Sequence, residues 1–192
     1  MPRRAKIRPG EPGRERVLEA GLDLFADRGY HATSIAEIGE RAGIAKSVLY
    51  HYFGSKAGLY EAILEAETQE AVQRVASALP EDEDGPRLQA GINALLGFLV
   101  ERPAAWRLLL RDPPADPDLI EIHERLAAER VGALSSLLAK PAKWAQAPTH
   151  IELVAAAVQV FVAWWYEHPH VPQEEIAAAI MDVAQAAAKR IE

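Results

Sequence analysis

Residues 33–56 read TSIAEIGERAGIAKSVLYHYFGSK, a string that fits two short helices around a tight turn. Ser34 followed three positions later by Glu37 has the form of a capping box. In that motif the serine hydroxyl takes a backbone amide in the first turn and the glutamate side chain returns to the serine amide. Ile35, Ile38 and Ala42 then recur at helical spacing. Gly43 can adopt the left-handed backbone that ends a helix. After a turn at Gly43 and Ile44, a second helix is predicted from about Ala45 to Phe53. Two short helices joined by a glycine-containing turn form a helix-turn-helix, whose second helix can lie in the major groove of DNA.

A helical wheel of that second helix separates its faces. Leu49 and Phe53 stack on one side and are expected in the core. Ser47, Val48 and His51 point the opposite way, Lys46 and Tyr50 flank one side, and Tyr52 flanks the other. A face of this make-up suits phosphates and base edges. Val48 offers only methyl groups, which favour a thymine methyl. His51 donates or accepts hydrogen bonds. Ser55 is predicted to cap the next helix and Lys56 to stand in its first turn, where helix amides and a lysine charge together attract a phosphate. The alternative for Lys56 is a solvated surface lysine.

The net charge of −7 argues against nucleic acid until its distribution is considered. Residues 1–60 hold ten Lys and Arg against seven Asp and Glu, whereas residues 61–192 hold eleven against twenty-one. The basic part coincides with the helix-turn-helix, which is the relevant signal. Residues 1–10 add Arg3, Arg4, Lys6 and Arg8 without an acid. They read either as a solvated tail or as an arm that follows the DNA backbone.

The string TSIAEIGERAGIAKSVLYHYFGSKAGL closely resembles the DNA-binding signature of the TetR-family transcriptional regulators, and the likeness runs back over residues 14–29 and forward to Leu59. Two departures stand out. Ala45 replaces a frequent Ser or Thr, which removes one cap and one phosphate contact, and Ser47 replaces a frequent Gly, which adds a side chain near the bases. The resemblance implies an all-α fold of about nine helices. Residues 1–56 would form a three-helix DNA-binding domain. Residues 57–192 would form a helical ligand-binding and dimerisation domain entered by a linking helix, 57–79. It further implies a homodimer on a palindromic double-stranded DNA operator, released by a small effector, with no enzymatic activity. The DNA-binding residues expected are Thr33, Ser34, Lys46, Ser47, Val48, Tyr50, His51, Tyr52 and Lys56, with Tyr50 on a phosphate. The first helix would pack across the helix-turn-helix, with Phe25, Leu22, Ile38, Leu49 and Phe53 in one small core.

Helical periodicity continues along the chain. The first helix is expected over 11–28 and ends at Gly29. After the linking helix, residues 80–86 (PEDEDGP) are the best linker candidate. Helices follow at 87–101, 104–111 after Pro103, and 117–139 with Asp116 as its cap and Pro117 at its first position. Thr149 with Glu152 forms a second capping box. The helix it opens, 150–167, is apolar nearly all round and must be covered on both sides. Residues 168–172 break the chain before a last, alanine-rich helix over 173–191.

The absence of cysteine removes disulfides, thiolate nucleophiles and cysteine-ligated zinc, and fits a cytoplasmic protein. The N-terminus lacks the apolar region of a secretory signal, and the most apolar run is too short to span a bilayer, so no membrane partner is expected. No HExxH, P-loop, GxGxxG or GxSxG occurs. No metal or other cofactor is expected, since a proline-rich turn explains His168 and His170 as well as a metal would. His123 falls on an apolar stripe, where it is either a hydrogen-bonded core histidine or a ligand contact. Trp106, Arg107, Leu110, His123, Trp144, Phe161 and Trp165 are the candidate lining of a largely apolar effector pocket, although large aromatics also fill ordinary cores. Val154, Val158, Val162, Ile176, Ile180 and Val183 are the candidate dimer interface on the last two helices. The rival readings are a regulator of the same fold that activates or needs no ligand, an α-helical enzyme, and a membrane-surface binder that uses the basic arm.

Overall fold

The computed structural model describes residues 12–80, 87–110, 116–138 and 148–188. The arm 1–10, most of the linker 80–86, Trp144 and Ile191 lie outside the described residues. Among the described residues there are nine helices and no strand: α1 Pro12–Arg28, α2 Ile35–Ala42, α3 Lys46–Phe53, α4 Lys56–Ala78, α5 Arg87–Glu101, α6 Pro103–Leu110, α7 Pro117–Leu138, α8 Pro148–Glu167 and α9 Gln173–Ala188. None of these helices is long and apolar enough to cross a membrane.

Local chemistry sets most boundaries. Gly29 closes α1 with φ +82°, its amide donating to the Phe25 carbonyl at 2.9 Å. Pro103 and Pro117 occupy first helical positions, where the missing N–H costs nothing. The Asp116 carbonyl accepts from the Leu119 and Ile120 amides and starts α7 as expected. The predicted cap at Thr149 is displaced. The helix begins at Pro148, so Thr149 lies within its first turn.

Packing divides the chain into two units, Met1–Thr68 with Pro103–Leu126, and Gln69–Arg102 with Ala127–Glu192. This differs from the boundary expected at 56/57, because α6 and the first half of α7 group with the N-terminal helices. In the first unit α1 packs on both α2 and α6, and α2 packs on α3. Val17, Leu22, Phe25, Ile38, Leu49, Leu59 and Ile63 are buried there. Phe53 is only half-buried, with the Arg14 guanidinium 5.9 Å from its ring centre.

In the second unit α9 packs against both α5 and α8. Its buried side chains include Val75, Ile92, Leu96, Phe98, Leu99, Val162, Ile176, Ala177 and Ile180. Small residues such as Ala177 let neighbouring helices approach closely. Arg87 clamps two chain segments, donating to the carbonyls of Pro80 at 2.8 Å and Leu137 at 3.2 Å. The break after α8 is fixed by Trp165 Nε1, which donates to the Val171 carbonyl at 2.8 Å.

Candidate nucleic-acid interface

The helix-turn-helix is built by its caps. Ser34 Oγ accepts from the Glu37 amide at 3.2 Å and Glu37 Oε2 accepts from the Ser34 amide at 2.8 Å, so the capping box is complete. These bonds, with Arg28 nearby, hold the Glu37 carboxyl below the ordinary glutamate range. Gly43, at φ +66°, ends α2 as predicted, and the Ile44 amide donates to the Gly39 carbonyl at 2.8 Å. The turn is tight enough that a Cβ on Gly39 would lie 2.7 Å from the Ile44 carbonyl oxygen. A side chain at this position therefore requires the backbone of the turn to move. Ala45 supplies no side-chain cap to α3. Ser55 Oγ accepts from the Gly58 amide at 2.9 Å and caps α4.

These anchors set the exposed face of α3. Leu49 is buried, whereas Lys46, Ser47, Tyr50 and His51 are exposed. Tyr52 is half-buried. So is Val48, which the wheel had placed straight outward. Lys46, Tyr50 and Lys56, together with His31, Ser34 and Ala36, line an open depression of about 330 Å³ at the start of α2. Amides of a helix start, two ammonium groups, a phenol and a hydroxyl converge there, a combination suited to a phosphate.

Lys56 is positioned by a ring. Its Nζ lies 4.3 Å from the centre of Tyr30, a cation–π distance. Tyr30 in turn stacks on Phe25 at 5.6 Å and meets Tyr60 edge-on at 5.3 Å. Partial burial draws the Lys56 ammonium below the usual lysine range, partly offset by Glu37. Burial, and then Asp116, pushes the Tyr30 phenol up. Sequence reasoning missed Tyr30, which lies between the two stretches that carry the resemblance, because its role depends on what folds beneath it.

Thr33 turns its side chain inward. It is 2% exposed, and its hydroxyl lies 3.1 Å from the Leu24 carbonyl and 2.9 Å from the Gly29 carbonyl, to which it donates. The hydroxyl therefore ties the end of α1 to the start of α2, while the residue still borders the depression at the start of α2. Thr33→Val should lower stability by about 1 kcal/mol by leaving those carbonyls short of a donor. It should leave the salt dependence of DNA binding unchanged, as a urea titration paired with binding at two salt concentrations would report.

The expected effector residues are divided between the two units. Trp106, Arg107, Leu110 and His123 belong to the first unit, and Phe161 and Trp165 to the second. Trp106 is buried, and Arg107, Leu110, Phe161 and Trp165 are half-buried. His123 is buried with Nε2 2.6 Å from the Tyr60 hydroxyl. That bond supports the core-histidine reading over a ligand contact, because the ring already has a partner. Burial, and then Tyr30, pushes the Tyr60 phenol well above its ordinary range, so it stays protonated.

The expected dimer residues also need correction. Val162, Ile176 and Ile180 are at most 3% exposed within a single chain, so they belong to its own core. Val158 is half-buried, Val183 is exposed, and the side chain of Val154 lies outside the described residues. Among the described side chains of α8, Val160, 68% exposed, and Trp164, 45% exposed, are large apolar groups turned outward, with Tyr166 exposed beside them.

Comparison with known proteins agrees with this architecture. Residues 17–63 match the profile described as bacterial regulatory proteins, tetR family. The chain is 34% identical over 128 residues to the HTH-type transcriptional activator FasR of Mycolicibacterium smegmatis, covering 66% of this chain and 58% of that protein. It is 36% identical over 80 residues to the HTH-type transcriptional regulator BetI of Klebsiella pneumoniae, covering 40% and 41%. The chain thus spans less than two thirds of the length of either relative. A TetR-family regulator structure from Rhodococcus sp. superposes with a TM-score of 0.74 at 18% identity, over 93% of this chain and 100% of that one. The fatty acid degradation regulator FadR from Bacillus halodurans superposes at 0.70 with 16% identity, over 94% and 97%. At these identities the structural likeness speaks to the fold alone. With its capped helix-turn-helix inside the matched segment and helices without strands among the other described residues, the chain belongs to the TetR family of bacterial regulatory proteins.

Proposed function

We propose that the protein is a homodimeric, effector-responsive transcriptional repressor that binds a palindromic operator. The observation that carries this is the outward face of α3, with Lys46, Ser47, Tyr50 and His51 exposed beside Lys56 and the α2 cap. Two-fold symmetry places one such helix in each of two successive major grooves, about 34 Å apart, and makes the operator mirror the protein. Val160, Trp164 and Val183 supply an exposed apolar face on α8 and α9 for that symmetry. An effector in the helical C-terminal part would act by binding the two DNA-competent and DNA-incompetent arrangements with different affinity.

Selection of bound sequences from a random DNA pool tests the reading, with a palindrome expected. Against single-base variants of the selected site, His51→Ala should relax preference at one position by about 1–3 kcal/mol. Lys56→Ala should weaken all sequences about equally and lower the salt slope by roughly one. A Lys56 effect confined to sequence preference, with His51 silent, would overturn the assignment of this face.

A second reading has a specific observation behind it. The FasR match extends over 128 residues, well past the DNA-binding segment, and FasR is named an activator. Transcription in vitro from a promoter carrying the selected site separates the two. Added protein lowers transcript in the first reading and raises it in the second.

A further inference from the structure

Among the described residues two guanidinium nitrogens, Arg87 Nε and Arg107 Nε, are buried without an acceptor, and that of Arg107 borders a cleft. Arg107 Nε is sealed from solvent and has no hydrogen-bond partner, a condition that calls for a physical explanation in a folded chain. Arg107 lies on α6, in the wall of a cleft of about 500 Å³ that also takes in the last turn of α1 and the residues after it. This cleft lies wholly within the first unit. Its apolar wall includes the rings of Tyr30 and Tyr60 and the side chain of Leu108. Of its other charged residues, Arg28 is paired with Glu37 at 3.2 Å and Asp27 is exposed.

A flat apolar body with one carboxylate matches this lining. Its rings would lie against Tyr30, Tyr60 and Leu108, and its carboxylate would meet the guanidinium, whose fork suits that group. We propose that this cleft is a binding site for a small aromatic carboxylate, with Arg107 as its anchor. His31 and Ala32 border both this cleft and the DNA-facing depression, and Tyr30 in the cleft wall carries Lys56 Nζ at 4.3 Å from its ring centre. A ligand that shifts Tyr30 therefore shifts the support of Lys56. Only this effect on DNA rests on the function proposed above, and the binding itself does not.

Equilibrium dialysis of the full chain decides the site, with 2-naphthoate as probe and 2-naphthylmethanol as its neutral counterpart. The unmodified protein should hold the carboxylate at least about tenfold more tightly than the alcohol, the size of one good charge-assisted contact. Arg107→Gln should abolish that preference and leave the alcohol unchanged. Ala32→Trp, which narrows the cleft from an exposed loop position with the cation intact, should weaken both probes. Naphthoate binding that survives Arg107→Gln, or no binding up to about 1 mM, would overturn the site. A DNA titration with naphthoate present then reads the coupling. Unchanged DNA affinity at saturating naphthoate removes the link through Tyr30, whereas a protein that binds no DNA at all fails the earlier reading and leaves the dialysis result standing.

Discussion

Val160→Glu should yield a folded monomer that has lost operator binding. Val160 is 68% exposed in a single chain, so the substitution spares the core of its own subunit. It lies four residues after Ala156 and four before Trp164, with Ala163 between, and all four are exposed on one side of α8. A glutamate in that face, if two copies close over it, is an unpaired buried charge that costs about 3–5 kcal/mol per copy. A two-fold interface counts the change twice, since each copy carries it. Equilibrium sedimentation at micromolar concentration should show a dimer for the unmodified protein and a monomer for the variant. Thermal unfolding at matched conditions should show the variant still cooperatively folded. With one reading head per molecule, affinity for the palindrome should fall toward that for a half-site. A variant that stays dimeric would place the interface elsewhere. Ile180→Asp is the instructive contrast: Ile180 is 1% exposed in the single chain, so an aspartate there unfolds the subunit and says nothing about dimerisation.

Leu49→Ala should unfold the DNA-reading end of the protein. Leu49 is 1% exposed, on the inner side of α3, and shares its unit's interior with Leu22, Phe25 and Ile38. Removing a buried leucine side chain costs about 2–5 kcal/mol, more where neighbours cannot close the cavity. The turn leaves little room to close. Gly39 already brings α2 against the Ile44 carbonyl, within contact of Leu49 Cδ1 at 3.8 Å from a would-be Cβ. In a unit of this size each kcal/mol lowers the melting temperature by roughly 4–8 °C. Scanning calorimetry should therefore show an early transition, and hydrogen exchange should place it in α2 and α3. Ser47→Ala, two residues away on the exposed face, should leave both measurements alone and act only on DNA preference. Equal stability of Leu49→Ala and the unmodified chain would mean that α3 is not held as described.

The sequence by itself determined where most helices begin and end, with the displaced cap at Thr149 as the exception. The Ser34–Glu37 box, Gly43, Ser55, Pro103 and Pro117 all act on backbone groups within a turn of themselves, so their effect is legible without the fold. It also determined the outward face of α3, because a helix of eight residues with Leu49 inside has little choice of orientation. What lay beyond a turn was decided by tertiary structure. The inward turn of the Thr33 hydroxyl, onto the carbonyls of Leu24 and Gly29, nine and four residues earlier in the chain, was not legible in the sequence. Val162, Ile176 and Ile180 read as an interface because an apolar stripe states that a surface is covered but not by what. Packing of α9 on α5 and α8 gave that cover to the subunit itself and left Val160 and Trp164 outward. Tyr30 carries no periodic signal, and Arg107 read only as one candidate among several for the lining of an effector pocket. Their roles arise where α6 packs on α1, residues some eighty positions apart, and a one-dimensional pattern holds no record of which distant side chain closes a cleft or leaves a nitrogen unpaired.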